Sequence, residues 1–125
     1  MKINRLIKYR AWNNESKEWK YGSALILTSC IEIIKETSIG CSQWTCMLDT
    51  LGEYTGLNDI NDKEIYEGDI VLWHDLLNNK YVGEVVFINC CFKVKVLMPT
   101  QTHYLTLSNK YKKIGNIYEN PELLL

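Results

Sequence analysis

Hydrophobic and polar positions alternate over short stretches of this chain, and the alternation predicts a protein built from β-strands. In the clearest strand, at 92–98, Phe92, Val94, Val96 and Met98 alternate with Lys93, Lys95 and Leu97. Residues 81–88 are almost entirely apolar after Glu84, which indicates a strand at the centre of a sheet. No stretch shows the long 3.6-residue period of an amphipathic helix, so we expect an all-β fold, either a barrel or a sandwich.

The remaining elements follow from turn residues and apolar runs. Further strands are predicted at 70–73, 103–107 and 112–118, with a tight hairpin turn at 61–62 inside the segment 54–66, a loop at 75–80 and turns at 67–69 and 108–110. Two strands near 5–12 and 18–22 would form a hairpin with Trp12 and Trp19 on either side of its polar turn.

Two segments give a weaker pattern. Residues 24–36 fit a short helix or a buried strand equally well, and their isoleucine and threonine content favours strand. Residues 37–48 show no clear period and are predicted to be irregular, apart from a candidate strand at 43–48. No linker divides the chain, so residues 1–125 are predicted to form one domain. Its two parts would be an N-terminal β layer at 1–50 and a five-strand unit at about 64–118.

Composition places the chain among ordinary globular proteins. It has 125 residues, 46% of them hydrophobic, and a formal charge of -1. These values exclude collagen-like, disordered and disulfide-scaffold proteins, and the near-neutral charge argues against a surface that binds nucleic acid all over. The N-terminus lacks the pattern of a signal peptide, and no apolar run approaches the ~20 residues of a membrane-spanning helix. An intracellular protein that does not bind membranes is therefore expected.

Five cysteines are present: Cys30, Cys41, Cys46, Cys90 and Cys91. An odd number in an intracellular chain predicts free thiols, and we interpret them as small buried hydrophobic residues. Their spacing lacks the paired Cys-x2-Cys arrangement of a zinc site, and no metal or cofactor is predicted.

Four segments resemble the YopX family, small proteins encoded by phages and prophages. They are 8–13 (KYRAWN), 54–59 (YTGLND), 63–71 (KEIYEGDIV) and 114–124 (IGNIYENPELL). The motif residues, for which we expect structural roles, are Tyr54, Gly56, Tyr66, Gly68, Asp69, Gly115, Asn116 and Tyr118. The family usually has Asn-Gly before Lys63, where this chain has Asn61-Asp62. The turn should persist with slight strain, because aspartate accepts a positive φ less readily than glycine.

The resemblance implies a mainly β fold whose principal unit, around 64–118, is an SH3-like barrel carrying an additional N-terminal β layer. It implies no activity, because the family is functionally uncharacterised, and it supplies no catalytic residues. It also implies a phage or prophage accessory protein in the cytoplasm of a bacterial host cell.

Charge is distributed unevenly. Residues 1–20 carry a net charge of +4, and residues 49–69 carry -6. One interpretation is that the basic segment binds phosphates while the acidic segment repels them or binds a metal. Alternatively, the two segments compensate each other within or between protomers. We favour the second interpretation, because charge runs are usually solvated or mutually compensated.

The basic segment supplies the candidate binding residues: Arg5, Lys8, Tyr9, Arg10, Trp12 and Trp19. Aromatic rings interleaved with cations are typical of platforms on which single-stranded nucleic acid stacks. A nucleic-acid-binding accessory factor is therefore one candidate function. In a small β domain, however, aromatic residues beside a hairpin usually belong to the core.

Catalytic and calcium-binding alternatives find little support. His74 beside Asp75 could act as an oriented base for a Cys90 or Cys91 nucleophile, but nothing in the spacing brings them together. The acidic run 58–64 lacks the glycine and the ligand spacing of an EF-hand and is explained by turn chemistry. We predict a non-enzymatic protein that binds a protein partner or forms a homo-oligomer. Its strand edges and the terminal leucines 123–125 are candidate contacts.

Overall fold

The computed structural model describes residues 6–99 and 103–124, and its regular structure is mainly β. The chain divides into two compact units, Met1–Tyr54 and Thr55–Leu125. The described strands form two antiparallel sheets, which confirms the predicted fold class at the level of secondary structure. Among the described residues, no helix has the length and apolar character needed to cross a membrane.

The first unit is a single antiparallel sheet in the order β4-β3-β2-β1-β5. Its strands are β1 (Tyr9–Asn13), β2 (Glu18–Ile26), β3 (Ile31–Thr37), β4 (Gly40–Cys46) and the first residues of β5 (Gly52–Asn58). A 3-10 turn at Leu48–Thr50 connects β4 to β5. The core consists of Ala11, Ile31, Ile33 and Cys46, with Tyr9 and Trp44 among the half-buried residues packed against it.

The predicted hairpin around residues 13–17 is confirmed. Trp12 of β1 lies directly opposite Trp19 of β2. The side-chain Oδ1 of Asn13 accepts hydrogen bonds from the Ser16 N–H (2.7 Å) and the Ser16 hydroxyl (2.9 Å). Asn13 therefore organises the turn by satisfying its polar groups, as short amide side chains often do.

The strand interpretation of 24–36 is confirmed over the helical one, but the segment holds two strands rather than one. β2 ends at Ile26, and β3 begins at Ile31 after a turn closed by the Leu27 N–H donating to the Cys30 carbonyl (3.0 Å). The candidate strand at 43–48 is confirmed in part, because it overlaps β4, but residues 40–42, predicted to be irregular, also belong to that strand. The β4 residues that pack against the core are Trp44 and Cys46, whereas Gly40 and Ser42, two and four positions before Trp44, carry no large apolar side chain, so the hydrophobic alternation that normally reveals a strand is short.

The second unit contains β6 (Glu64–Tyr66), which neighbours β5, and a five-stranded sheet in the order β10-β9-β8-β7-β11. Its strands are β7 (Asp69–His74), β8 (Lys80–Ile88), β9 (Cys91–Met98), β10 (Tyr104–Thr106) and β11 (Lys112–Asn116). β8 lies at the centre of this sheet, as its apolar sequence predicts. A 3-10 turn at Pro121–Leu124 follows β11; Leu123 and Leu124 are half-buried there, and Leu125 lies outside the described residues.

The SH3-like barrel is not confirmed. A barrel requires the two edge strands of a sheet to pair with each other. Within the described residues β10 pairs with β9 and β11 pairs with β7, and neither sheet closes. Short strands separated by frequent turns are common to barrels and open sheets, so the sequence pattern alone does not distinguish these architectures.

The core of the second unit forms beside β7, β8 and β9. Its buried members are Ile65, Val71, Val85, Val94, Leu107 and Tyr111. The Trp73 ring packs edge-on against Tyr111 with 4.9 Å between ring centroids, and it stacks on Tyr81 at 5.6 Å. Aromatic contacts of this geometry add about 0.5–1.5 kcal/mol beyond the area they bury.

The five cysteines are free thiols, as predicted, but their interpretation as buried hydrophobic residues is wrong for most of them. Cys46 alone is buried, and burial raises the pKa of its thiol. Cys41, Cys90 and Cys91 are exposed, and Cys30 is half-buried. Cys90 and Cys91 lie where β8 turns into β9, a position at which side chains project into solvent.

Candidate interaction surfaces

The structure separates the predicted basic and aromatic residues onto two faces of β1. Side chains of a strand alternate between faces, so Lys8, Arg10 and Trp12 share one face while Tyr9 packs on the core at the other. Trp19 lies opposite Trp12 and therefore shares its face. Arg5 lies outside the described residues.

Three cations of this unit lie over aromatic rings of the same unit. The Arg10 guanidinium is 4.5 Å from the Trp19 ring centroid, and Arg10 is only 1% exposed. Lys8 Nζ lies 5.3 Å from the Tyr54 centroid, and Lys20 Nζ lies 4.5 Å from that of Trp44. Such contacts contribute about 0.5–2 kcal/mol each. A nucleic-acid base would have to displace these cations to stack on the same ring faces.

Asp59, in the acidic segment, is buried, and its carboxylate accepts hydrogen bonds from the backbone of its own turn. Its Oδ1 accepts the backbone N–H groups of Asn61 (2.8 Å) and Lys63 (2.9 Å), and its Oδ2 accepts that of Lys113 (2.9 Å). The following Asp62 has a φ of 63°, which confirms the tight turn predicted at Asn61-Asp62. Asn58 supports this turn by donating to the Asp62 carboxylate (2.9 Å).

These hydrogen bonds predict a pH-dependent contribution to stability. Burial acts to raise the pKa of Asp59, but the amides of Lys113, Lys63 and Asn61 outweigh it and hold the pKa below the ordinary value of 3.8. The ionised carboxylate therefore stabilises the fold above pH 3.8, and the contribution is lost as pH falls through the lowered pKa. We expect Asp59→Asn to lower the free energy of unfolding by about 2 kcal/mol at pH 7.

Urea unfolding at pH 7 and at pH 2.5 would measure this effect. The difference in free energy of unfolding between wild type and Asp59→Asn should be smaller at the lower pH. Asp62→Asn is the matched control, since Asp62 is exposed in the same turn and asparagine tolerates its positive φ. If the difference in unfolding free energy does not change with pH, the hydrogen bonds from backbone N–H groups to the charged carboxylate are not its cause.

Asp69 is fully buried between two strands of the same unit. Its Oδ2 accepts the Tyr66 N–H at 2.7 Å and lies 3.2 Å from the Lys113 ammonium. The preceding Gly68 has a φ of 93°, and its N–H donates to the Val85 carbonyl at 2.9 Å. The motif residues 66–69 therefore form a turn that is fixed to the centre of the sheet.

The last motif segment is also structural. Gly115 lies at an irregularity in the pairing of β11 with β7. Asn116 Oδ1 accepts the N–H groups of Tyr118 (3.0 Å) and Glu119 (2.8 Å), which turns the chain after β11. Of the two remaining motif residues, Tyr54 is buried beneath Lys8, and Gly56 has a φ of 87° on β5. These residues contact other parts of the fold, and the structural role expected for them stays a prediction.

The base and nucleophile considered for catalysis do not come together. His74 pairs with Lys80 at one end of β8, whereas Cys91 pairs with Ile88 at the other. Eight residues of extended chain separate these ends, a distance of about 26 Å. The described residues contain no group of three or more His, Cys, Asp or Glu side chains placed to hold a metal ion.

Strand β4 begins three residues earlier than the candidate strand that the sequence indicated at 43–48. It forms the edge of the first unit's sheet, and its seven residues pair with β3 without interruption. It contains no charged residue and no proline. Proteins usually protect an edge strand with charge, proline, a bulge or short length, because its outward N–H and C=O groups are a template for another strand.

Two further surfaces carry exposed apolar groups. Leu76 is fully exposed and Leu77 is 83% exposed in the loop between β7 and β8. In the first unit, Ser29, Met47, Leu48 and Asp49 line a pocket of about 320 Å³. The pattern of the sequence placed 75–80 in a loop but gave no indication of this pocket, which depends on the turn after β4.

Comparison with known proteins supplies a family and a fold. The family whose description is "YopX protein" matches residues 8–125. Among solved structures, the crystal structure of protein EF1440 from Enterococcus faecalis is similar, with a TM-score of 0.60 and 25% sequence identity. The match covers 98% of this chain and 100% of that one. A search of curated proteins found no match.

Proposed function

This chain belongs to the YopX family, and from that premise we propose that it is a phage or prophage accessory protein that works by self-association rather than by catalysis. Neither the family's description nor the name of the structural neighbour states an activity. The observation that supports self-association is the edge strand β4, which carries no charge, proline or bulge, although the Asn13 side-chain amide donates to the Thr45 carbonyl near its end (3.0 Å).

The other edges of the two sheets make the contrast clear. β6 and β10 are only three residues long, and β11 carries Lys112 and Lys113 and an irregularity in its pairing. These are the usual devices that discourage pairing with another chain. β4 has no charge, proline or bulge and is long enough for a regular ladder, and residues 40–44 precede the Thr45 carbonyl that Asn13 engages.

A second copy of the chain is the partner that fits this edge. Two β4 strands pairing antiparallel about a two-fold axis through Gln43 would place each Gln43 opposite its counterpart. Because β4 is uncharged, no like charges meet directly across the new pair. The result is one continuous sheet that runs through two protomers, an arrangement in which main-chain hydrogen bonds provide the affinity.

The test is the association state of the purified protein, measured by sedimentation velocity in a reducing buffer. We expect wild type to form a dimer of twice the 14.6 kDa protomer mass. Gln43→Lys should weaken the dimer at least tenfold, because one substitution places two ammonium groups face to face, and about 1.4 kcal/mol of repulsion has that effect.

Ser23→Lys is the matched control. Ser23 is exposed on the interior strand β2, so this variant adds the same charge to the same unit away from the edge. Wild type that stays monomeric at tens of micromolar would contradict the proposal. Loss of the dimer in Ser23→Lys but not in Gln43→Lys would assign the contact to the face of the sheet. Extra mass from bound nucleic acid would favour the stacking function instead.

A further inference from the structure

The turn between β8 and β9 places two thiols side by side in solvent. Asn89 and Cys90 form this two-residue turn, and Cys91 pairs with Ile88 as the first residue of β9. Both cysteines are free and exposed. Cysteine is among the most buried residue types in folded proteins, so two exposed cysteines in succession are unusual. We name Cys90 and Cys91 the thiol pair.

Neither packing nor turn chemistry explains the cysteine at position 90. Cys90 has a φ of 64°, and a two-residue turn with positive φ at both positions usually carries glycine at the second one. A side chain with a Cβ atom adopts this conformation at a cost in free energy. Cys90 gains nothing by burial in return, because it is exposed. An unfavourable backbone conformation without a packing reason points to a function for the side chain.

The same turn removes the alternation that would separate the two thiols. Neighbouring side chains of a strand point to opposite faces, but Cys90 lies between the strands in the left-handed conformation. The Cys91 thiol donates to the Ile88 carbonyl at 3.6 Å, which holds its Sγ beside the turn. Neighbouring Cα atoms are about 3.8 Å apart. Rotation about one side-chain bond in each cysteine can therefore bring both sulfur atoms to one ion.

The hairpin fixes the position of the thiol pair. Next to the turn, the Phe87 and Phe92 rings contact each other edge-on, with 5.1 Å between their centroids. Phe92 also packs against the core of the second unit. A site on such an ordered element loses little conformational entropy when it binds a ligand.

The number of donors determines which kind of ion fits the thiol pair. Structural zinc has four protein ligands, and calcium and magnesium require six or more oxygen donors. In the part of the chain that the structure describes, no third His, Cys, Asp or Glu side chain joins two others in a metal-binding group. Copper(I) is a soft ion that prefers thiolates, and two thiolates satisfy it. Lys93 follows Cys91 on the same face of β9, where its ammonium can balance the negative charge of a bis-thiolate copper(I) complex.

We propose that the thiol pair binds one copper(I) ion, with the Sγ atoms of Cys90 and Cys91 as its two ligands. Binding forms two S–Cu bonds and releases the two thiol protons to solvent, and neither the protein nor the ion changes its oxidation state. The site lies in the second unit and uses no residue of β4, so the proposal does not depend on self-association.

The test is a competition for copper(I) between the protein and the coloured chelator bathocuproine disulfonate, in oxygen-free buffer that contains ascorbate. Joining two donors in one site raises affinity about 10²–10⁴-fold over a single donor. We therefore expect Cys90→Ser and Cys91→Ser each to weaken copper(I) binding by about a hundredfold or more. Wild type that takes no copper(I) from the chelator would overturn the proposal.

Cys41→Ser is the matched control, because Cys41 is also an exposed free thiol but lies on β4, in the other unit. This variant should keep the copper(I) affinity of wild type. An equal loss of affinity in Cys41→Ser and in the two variants of the thiol pair would show that the ion has no preference for the turn, and the proposal would fail.

Cys90→Gly distinguishes a ligand from a residue that serves the fold. Glycine is the usual residue at this position of the turn, so the urea midpoint of the variant should equal or exceed that of wild type. Its copper(I) affinity should fall as far as that of Cys90→Ser. Copper(I) affinity that survives this substitution would place the ion elsewhere and overturn the proposal.

A trivalent arsenical tests independently whether both sulfur atoms reach one atom. Phenylarsine oxide condenses with two thiols, forming two As–S bonds and releasing one water molecule. We expect mass spectrometry of the modified protein, followed by peptide mapping, to find one phenylarsenic group that bridges Cys90 and Cys91. A group that bridges other cysteines, or none at all, would contradict the geometry on which the proposal rests.

Discussion

Replacing Asp69 with alanine is expected to lower the free energy of unfolding of the second unit by about 3 kcal/mol, because it leaves the buried Tyr66 N–H without its acceptor and removes the carboxylate that pairs with the half-buried Lys113. Asp69 has no solvent exposure, and it holds both the Tyr66 N–H and the Lys113 ammonium. Alanine offers neither group an acceptor. Small domains are stable by only about 5–15 kcal/mol in total, so this loss is a large fraction.

Urea unfolding followed by Trp73 fluorescence would measure the effect, in a background in which Trp12, Trp19 and Trp44 are replaced by phenylalanine. Trp73 packs in the core of this unit and reports its unfolding directly. Glu122→Ala is the control, because it removes an exposed carboxylate from the same unit. A loss below about 1 kcal/mol, the size of an ordinary hydrogen bond, would mean that Tyr66 and Lys113 find other partners.

The second large effect is expected in the first unit. Ile33→Ala should lower the free energy of unfolding by about 2–5 kcal/mol, the range observed when a large buried aliphatic residue is truncated. Ile33 is fully buried with Ala11, Ile31 and Cys46, and it lies on β3 between the facing residues Ala24 and Trp44. Truncation leaves a cavity that the paired strands on both sides cannot easily fill.

Ile39→Ala provides the control for Ile33→Ala, since the chemical change is the same and Ile39 is almost wholly exposed. Urea unfolding monitored by circular dichroism would give both values. If the two variants lost the same amount of unfolding free energy, the assignment of Ile33 to a packed core would be contradicted.

Prediction from sequence succeeded where one face of a strand is clearly apolar. β8 and β9 have that character, and their positions and pairing follow from it. The start of β4 lacks this apolar face, because Gly40 and Ser42 carry no large apolar side chain, and the sequence therefore indicated a strand only from residue 43 onward. Closure of a sheet depends on pairing between residues far apart in sequence, and local patterns carry no information about it.

The predicted binding residues show a second reason why the site could not be predicted from the sequence. The sequence places Lys8, Tyr9, Arg10 and Trp12 together, but the period of a strand sends neighbours to opposite faces. Burial of Arg10 against Trp19 depends on the register of β1 and β2, which the turn at Asn13 sets. The sequence placed 75–80 in a loop, but the exposure of Leu76 and Leu77 and the hydrogen bonds of the Asp75 carboxylate to the loop backbone were visible only in the structure.

The turn between β8 and β9 also has a consequence for the order of events in folding. Asn89 and Cys90 both have positive φ, at 51° and 64°, the conformation of the tightest hairpin turns. The strands that they join have nine and eight residues and lie at the middle of the second unit's sheet. Closing so short a loop takes about 10–100 ns and a hairpin forms in about 1–10 μs, whereas distant pairs must wait for longer loops to close. We therefore expect this hairpin to form early and to serve as the nucleus on which β7, β10 and β11 assemble.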